Sequence, residues 1–165
     1  MRQKRLMSLK QLLGRKVPDC AIIGGGPVGL IFAILSRTSI GNVQIFESKE
    51  HDSTNQDNRA LALSNGSRLI LEEIGVWDRL EKKITKIKKI HTSQAGSFGR
   101  TMLDAEEFNE ESLGYIISYG DLMRALQEEV ECIRNVKISY GTKVTKCSDK
   151  EASLNLTLQT NNKTK

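Results

Sequence analysis

The chain is poor in the residues that most often build reactive sites. Its two histidines, His51 and His91, lack partners at metal-ligand spacing, so both read as non-ligands and no metal site is expected. No Ser-His-acid arrangement stands out. The three cysteines, Cys20, Cys132 and Cys147, are odd in number and far apart, with no C-x-x-C pair, which points to a reducing compartment. Aromatic residues are only 5% of the total, leaving few rings on which bases could stack. The net charge of +5 does not restore nucleic acid as a partner. Arg2, Lys4, Arg5, Lys10, Arg15 and Lys16 lie before residue 19 with no acid among them, and removing these six charges leaves −1 for the rest. Beyond them the one basic stripe is Lys82 to Lys89, which reads as a solvated face.

What is present suits one soluble domain: 165 residues, 38% hydrophobic and 27% charged, are enough to bury a core. The informative stretch is Asp19-Cys20-Ala21-Ile22-Ile23-Gly24-Gly25-Gly26-Pro27-Val28-Gly29-Leu30, which predicts a strand, a tight turn and a helix. Gly24 permits the turn, Gly26 removes a Cβ that would keep a pyrophosphate off the backbone, and Gly29 lets the helix lie close to the strand. The helix N-terminus then presents unpaired N–H groups and the positive end of its dipole to an anion. Glycines in this pattern also occur in ordinary loops, so context decides. Pro27 sits where a first helical turn tolerates a missing N–H. A second strand, Asn42 to Phe46, ends in Glu47, about twenty residues past the first glycine, where a dinucleotide fold places an acid on the adenosine ribose. The alternative for Glu47 is a solvated carboxylate at a strand end.

The basic leader, residues 1–18, carries Leu6, Leu9, Leu12 and Leu13 at near-helical spacing. It predicts an amphipathic helix on an anionic membrane surface or a presequence, the alternative being a frayed extension with Met7 as another start. It is too short and too charged to span a bilayer. After Glu47 a polar loop through Asn58 leads to Asp57-Asn58-Arg59-Ala60-Leu61-Ala62-Leu63-Ser64. Ser64 is the expected cap of a helix with Leu69, Ile70, Leu71 and Ile74 on its apolar face and Gly75 as its stop. Trp77 reads as core. A strand is expected around Ile87 to Thr92, a turn between Gly96 and Gly99, and a strand over Arg100 to Leu103. An acidic connector, Asp104 to Ser112, precedes a strand over Leu113 to Ser118. Gly120-Asp121 opens a helix through Leu122, Leu126, Val130 and Ile133, and strands follow at Val136 to Tyr140, Lys143 to Cys147 and Ser153 to Leu158. Residues 161–165 read as a loose tail.

The runs GGGPVG, DNRALALSNGS, GVWDRL, GSFGRTMLDAEE and LGYIISYGDLMRAL, with Glu47, resemble in order the N-terminal part of the flavin-dependent ring hydroxylases of ubiquinone biosynthesis, of the 2-polyprenyl-6-methoxyphenol hydroxylase type. The likeness covers Asp19 to about Leu126. It implies an α/β fold: a Rossmann-like, three-layer FAD-binding fold of the aromatic hydroxylase type, truncated at the C-terminus. Residues 19–160 would form the N-terminal part of the FAD-binding domain, with strands of an inserted substrate domain at about 87–118. It implies FAD as cofactor, with Gly24, Gly26 and Gly29 on the pyrophosphate and Glu47 on the ribose. Arg59 matches an arginine near the FAD and would pair with a phosphate, the alternative being a surface salt bridge. NAD(P)H would be the reductant, dioxygen the oxygen source and a polyprenylated phenol the substrate. Such a substrate implies a cytoplasmic enzyme touching the inner membrane peripherally, with a ubiquinone-biosynthesis complex as partner. No catalytic residue is assigned. The chain departs from the family at Tyr119-Gly120, where Asn is usual, and it has no Asp-Gly motif. It therefore reads as a piece of such an enzyme with exposed apolar edges and poor solubility. A non-catalytic nucleotide-binding remnant and an NAD-dependent dehydrogenase stay open as alternatives.

Overall fold

The structure is a computed structural model that describes residues 6–8, 18–51, 53, 57–93, 100–150 and 153–160. They fall into two compact units, residues 1–54 with 126–165 and residues 55–125. In chain order the elements begin with β1 (Leu6–Ser8), β2 (Cys20–Ile23), α1 (Pro27–Leu35), β3 (Val43–Phe46), β4 (Ala60–Leu63), α2 (Asn65–Glu73), α3 (Trp77–Leu80) and β5 (Thr85–Ile87). They continue with β6 (Lys89–Ser93), β7 (Arg100–Asp104), β8 (Gly114–Ser118), α4 (Tyr119–Glu131), β9 (Val136–Ser139), β10 (Thr142–Lys150) and β11 (Ser153–Thr160). The expected Gly96–Gly99 turn, the leader positions Leu9, Leu12 and Leu13, and the tail 161–165 lie outside the described residues.

In the first unit β2, β3 and β9 form a parallel sheet in that order, with Ile22 opposite Ile45 and Ile45 opposite Ile138. All four residues of β3 are buried, as expected where a parallel strand is covered on both faces. Helix α1 lies against β2 and buries Leu30, Ala33 and Ile34 completely. One face of β3 meets an antiparallel sheet in the order β1-β11-β10, where Phe46 packs with Leu156, Leu158 and Val144. Each such side chain contributes about 1.5–3 kcal/mol on leaving water. At the far end of the sheet Asn135 Nδ2 donates to the carbonyls of Arg37, Ile40 and Gly41 at 3.0, 3.0 and 2.6 Å, tying the chain before β9 to the turn before β3.

The second unit holds the antiparallel sheet β4-β8-β5 and the two-stranded ribbon β6-β7. Ser64 caps α2 as expected, its Oγ accepting from Ser67 N at 3.1 Å. Gly75, at φ +75°, ends the helix: Gly75 N donates to Glu72 O and Val76 N to Leu71 O, which satisfies two carbonyls of the last turn. Trp77 is buried and meets Tyr115 of β8 edge-on, with centroids 4.9 Å apart. Helix α4 runs from the second unit into the first, and Leu122, Leu126 and Val130 on it are buried as its periodicity predicts.

Four local expectations differ from the structure. Leu6–Ser8 is a strand, because its backbone pairs with Thr157–Gln159 of β11, a partner about 150 residues away that local spacing does not reveal. Ala60–Leu63, read as an approach to the helix, is strand β4, paired with Tyr115–Ser118. The single strand expected around Ile87 to Thr92 is divided at Lys88. Ile87 O accepts from Leu113 N and Lys88 O from Ala105 N, so β5 joins β8 while β6 joins β7. Within the acidic connector Ala105–Phe108 forms one 3-10 turn, with Asp104 accepting from Glu106 N. Among the described residues no helix is long and apolar enough to cross a membrane.

Candidate nucleotide-binding site

The turn between β2 and α1 is shaped by glycine. Gly24 has φ +106°, a conformation that L side chains rarely adopt, and its N–H donates to Phe46 O at 2.9 Å. A Cβ on Gly29 would lie 2.2 Å from Gly24 O and 3.3 Å from the Ile22 side chain, so only glycine allows α1 to begin this close to β2. Gly26 is the N-cap of α1, extended at φ −75° and ψ 178°, and no side chain caps the helix. A Cβ there would meet nothing within 4 Å. The space in front of Gly26 is open, and Pro27 contributes no N–H at the first helical position. The first-turn N–H groups of Val28 and Gly29 thus end the helix dipole without a carboxylate in that turn to neutralise it. A helix start bare of side-chain acceptors, beside an open glycine, fits a pyrophosphate.

Glu47 follows β3 and reaches this turn. Its Oε2 accepts from Gly25 N at 2.7 Å and its Oε1 from Lys49 N at 2.7 Å and Ser48 Oγ at 3.2 Å. A Cβ on Gly25 would press on the Glu47 side chain at 3.1 Å, which explains the middle glycine of the three. The carboxylate is therefore held in place by backbone amides from both strand ends. An ionised carboxylate offers about four acceptor positions, so acceptor capacity remains for a diol such as a ribose. The Gly25–Glu47 bond was not foreseen from the sequence, which assigned Gly25 no role.

Arg59 belongs to the second unit. It pairs with Asp57: Nε lies 2.9 Å from both carboxylate oxygens and Nη2 lies 2.7 Å from Oδ2. Its guanidinium carbon stands 4.9 Å from the Tyr119 ring centroid. The hydrogen bonds Arg59 donates to Asp57, then the Asp57 charge, hold Arg59 above its ordinary pKa. Two backbone bonds, Tyr119 N to Arg59 O and Gly120 N to Asp57 O, both 2.8 Å, fix this segment to the start of α4. Asp57 was the missed partner, and the i, i+2 spacing in an extended segment was the available signal. Nothing in the sequence marked Tyr119 as the stacking ring. The start of α4 is held in turn by Ser118 Oγ, which accepts from Asp121 N and donates to Asp121 Oδ2, while Lys83 Nζ donates to Asp121 Oδ1 at 2.7 Å. Lys83 first, then Ser118, lowers the Asp121 pKa below its usual value. The second unit also has a pocket of about 480 Å³ walled by Arg68, Trp77, Lys86 and Tyr115; its lining includes none of the five expected cofactor residues.

A parallel β-α-β unit with a glycine turn, an open helix start and an acid at the end of the second strand defines a dinucleotide-binding protein. Residues 18–164 match the family described as FAD binding domain, and the chain belongs to that family. The ubiquinone hydroxylase UbiM of Neisseria meningitidis is 30% identical over 146 residues, which are 82% of this chain and 32% of the relative. The mitochondrial ubiquinone biosynthesis monooxygenase COQ6 of Caenorhabditis elegans is 27% identical, covering 84% of this chain and 33% of the relative. Among solved structures, p-nitrophenol 4-monooxygenase PnpA from Pseudomonas putida superposes with a TM-score of 0.69 at 20% identity, over 86% of this chain and 36% of that one. The chain thus spans about a third of the length of these relatives. The expected FAD-binding fold of the aromatic hydroxylase type is the one found.

Proposed function

We propose that the chain is the FAD-binding part of a monooxygenase that hydroxylates a polyprenylated methoxyphenol, using NAD(P)H and dioxygen, in ubiquinone biosynthesis. The observation that carries this reading is the open Gly26 cradle at the uncapped start of α1, in a chain of the FAD-binding family with ubiquinone hydroxylases among its relatives. The family favours FAD over the NAD of a dehydrogenase. Gly24, Gly26 and Gly29 bind the pyrophosphate, with the N–H groups of Val28 and Gly29 aimed at its oxygens. Glu47, already oriented by Gly25 N and Lys49 N, accepts the ribose hydroxyls. Arg59 turns a free edge of its guanidinium to a phosphate while Asp57 keeps the other edge in place. Bound FAD supplies the redox and oxygen-transfer chemistry. The protein's own residues hold its adenosine half rigidly. The six basic residues of the leader draw the protein to an anionic membrane where a lipid-tailed phenol resides, and the other enzymes of ubiquinone biosynthesis are its partners there.

The test is incubation of FAD-loaded protein with NADH or NADPH, 18O-labelled dioxygen and a short-chain polyprenyl methoxyphenol, followed by mass spectrometry of the phenol. One labelled oxygen on the ring is the expected result. A flavin-bearing protein that leaves the phenol unlabelled would instead support an FAD-binding polypeptide without catalysis of its own.

A further inference from the structure

Glu47 is fixed by more than its own side-chain contacts. Past Phe46 the chain stays beside the turn between β9 and β10, residues 139–142, which comes far later in the sequence. Glu47 N donates to Ser139 O at 2.9 Å, Thr142 N donates to Glu47 O at 2.8 Å, and Gly141 N donates to Lys49 O at 2.9 Å. Lys49 is thereby held through both of its backbone polar groups, its C=O by Gly141 N and its N–H by Glu47 Oε1 at 2.7 Å. The segment ends on the same turn, where the His51 ring stands edge-on to Tyr140 with centroids 4.7 Å apart. Thr142 is buried, and without Glu47 O its N–H would lose its partner, so turn and segment hold each other in place. Gly141 gives the turn its shape. Its φ of +59° lies in the left-handed region that side chains disfavour. A Cβ there would lie 2.9 Å from Glu50 Oε1, the end of an exposed side chain that can move away, so the demand for glycine is conformational rather than steric.

We propose that Gly141 is a positioning residue for the adenosine ribose of the bound dinucleotide. Its left-handed backbone aims its N–H at Lys49 O, which sets Lys49 N on Glu47 Oε1. Gly25 N holds the other oxygen, Oε2, at 2.7 Å. With a backbone donor on each oxygen the carboxylate plane is fixed before the ribose arrives. With the Lys49 donor lost, the carboxylate turns about its remaining contact, and ordering it draws on the binding energy of the ligand. Gly141 touches no nucleotide in this scheme; it acts through Lys49 and Glu47. The role rests on Glu47 being the acid that receives the ribose hydroxyls, and it places the origin of that acid's orientation in the β9-β10 turn as well as in the glycine turn.

The test titrates the full chain with ADP and with 2′,3′-dideoxy-ADP by isothermal calorimetry. The ratio of the two dissociation constants isolates the ribose hydroxyls from the pyrophosphate turn. In the wild-type chain ADP is expected to bind about tenfold more tightly, the worth of a hydrogen bond to a charged group. Gly141→Val cannot hold φ near +59° and should bring the ratio down to that of Glu47→Ala, close to one. Its affinity for dideoxy-ADP should stay within about twofold of wild type, because the glycine turn is untouched. Gly141→Asn, a residue that tolerates the left-handed region, should return most of the ratio. Gly141→Ala, a milder strain, repeats the measurement should Gly141→Val fold poorly. A wild-type ratio kept in Gly141→Val overturns the proposal, and so does an equal weakening of both ligands, which is the mark of general destabilisation. A wild-type chain whose own ratio is near one overturns the ribose role of Glu47, and the role of Gly141 with it.

Discussion

The strand β3 and the ribbon β6-β7 are both built from short alternating segments, yet they end in opposite environments. β3 packs its Phe46 on the β10-β11 sheet, with every residue buried. All five residues of β6 are exposed, as are Met102 and Leu103 of β7. Burial separates mounting from surface. The glycine turn and Glu47 are anchored at the end of this fully buried strand, through Gly24 N to Phe46 O and Glu47 N to Ser139 O. The ribbon carries its own Lys89–Asp104 ion pair at 2.7 Å and little else. A nucleotide site requires the first kind of support, because positions on a packed strand vary less than positions on an exposed ribbon.

Substitutions can break this contrast. Phe46→Ala removes a fully buried ring from its packing on Leu156, Leu158 and Val144 and is expected to cost about 3–5 kcal/mol, measured as a lowered urea midpoint with unchanged slope. A loss below about 1 kcal/mol would mean that the β10-β11 cover is loose. Gly29→Val places a Cβ 2.2 Å from Gly24 O and forces α1 away from β2; an expected loss of about 1–3 kcal/mol should come with faster amide exchange at the glycine turn. Asp121 sharpens the comparison through pH. Its folded pKa is depressed, first by Lys83 and then by Ser118, so its contribution is present above the unfolded value and is lost as pH falls through the folded one. Asp121→Asn should therefore destabilise at pH 7, with the difference from wild type vanishing in strong acid; a difference independent of pH would refute the ion-pair account. The smallest effect belongs to the ribbon. Met102→Thr, at a well-exposed position, should change stability by less than about 0.5 kcal/mol in the same urea assay.

Much of the fold and site was legible because it rests on local chemistry. Gly24 shows its need for a positive φ, and Ser64 and Gly75 bracket a helix whose periodicity is clear. Gly29 was read for close packing, and the 2.2 Å approach is that packing. What escaped reading depends on distant pairing. Ala60-Leu61-Ala62-Leu63 is made of good helix formers, and β8, more than fifty residues on, turns it into a strand. Leu6–Ser8 likewise takes its form from β11. At Arg59 the sequence left a phosphate ligand and a surface ion pair open; the structure supplies Asp57 and Tyr119 as neighbours, and neither excludes a phosphate on the remaining edge.

The most direct measurement is the visible absorption spectrum of the full chain after incubation with FAD and removal of excess by gel filtration, made in parallel on Gly26→Val and Arg59→Met. A Cβ at position 26 meets no protein atom within 4 Å, so Gly26→Val should stay folded and lose the flavin bands by filling the pyrophosphate's approach. Arg59→Met should retain them with about tenfold weaker affinity, the worth of one charge-assisted phosphate contact. Flavin bands unchanged in Gly26→Val would contradict the account, because FAD would then be held somewhere other than the glycine turn.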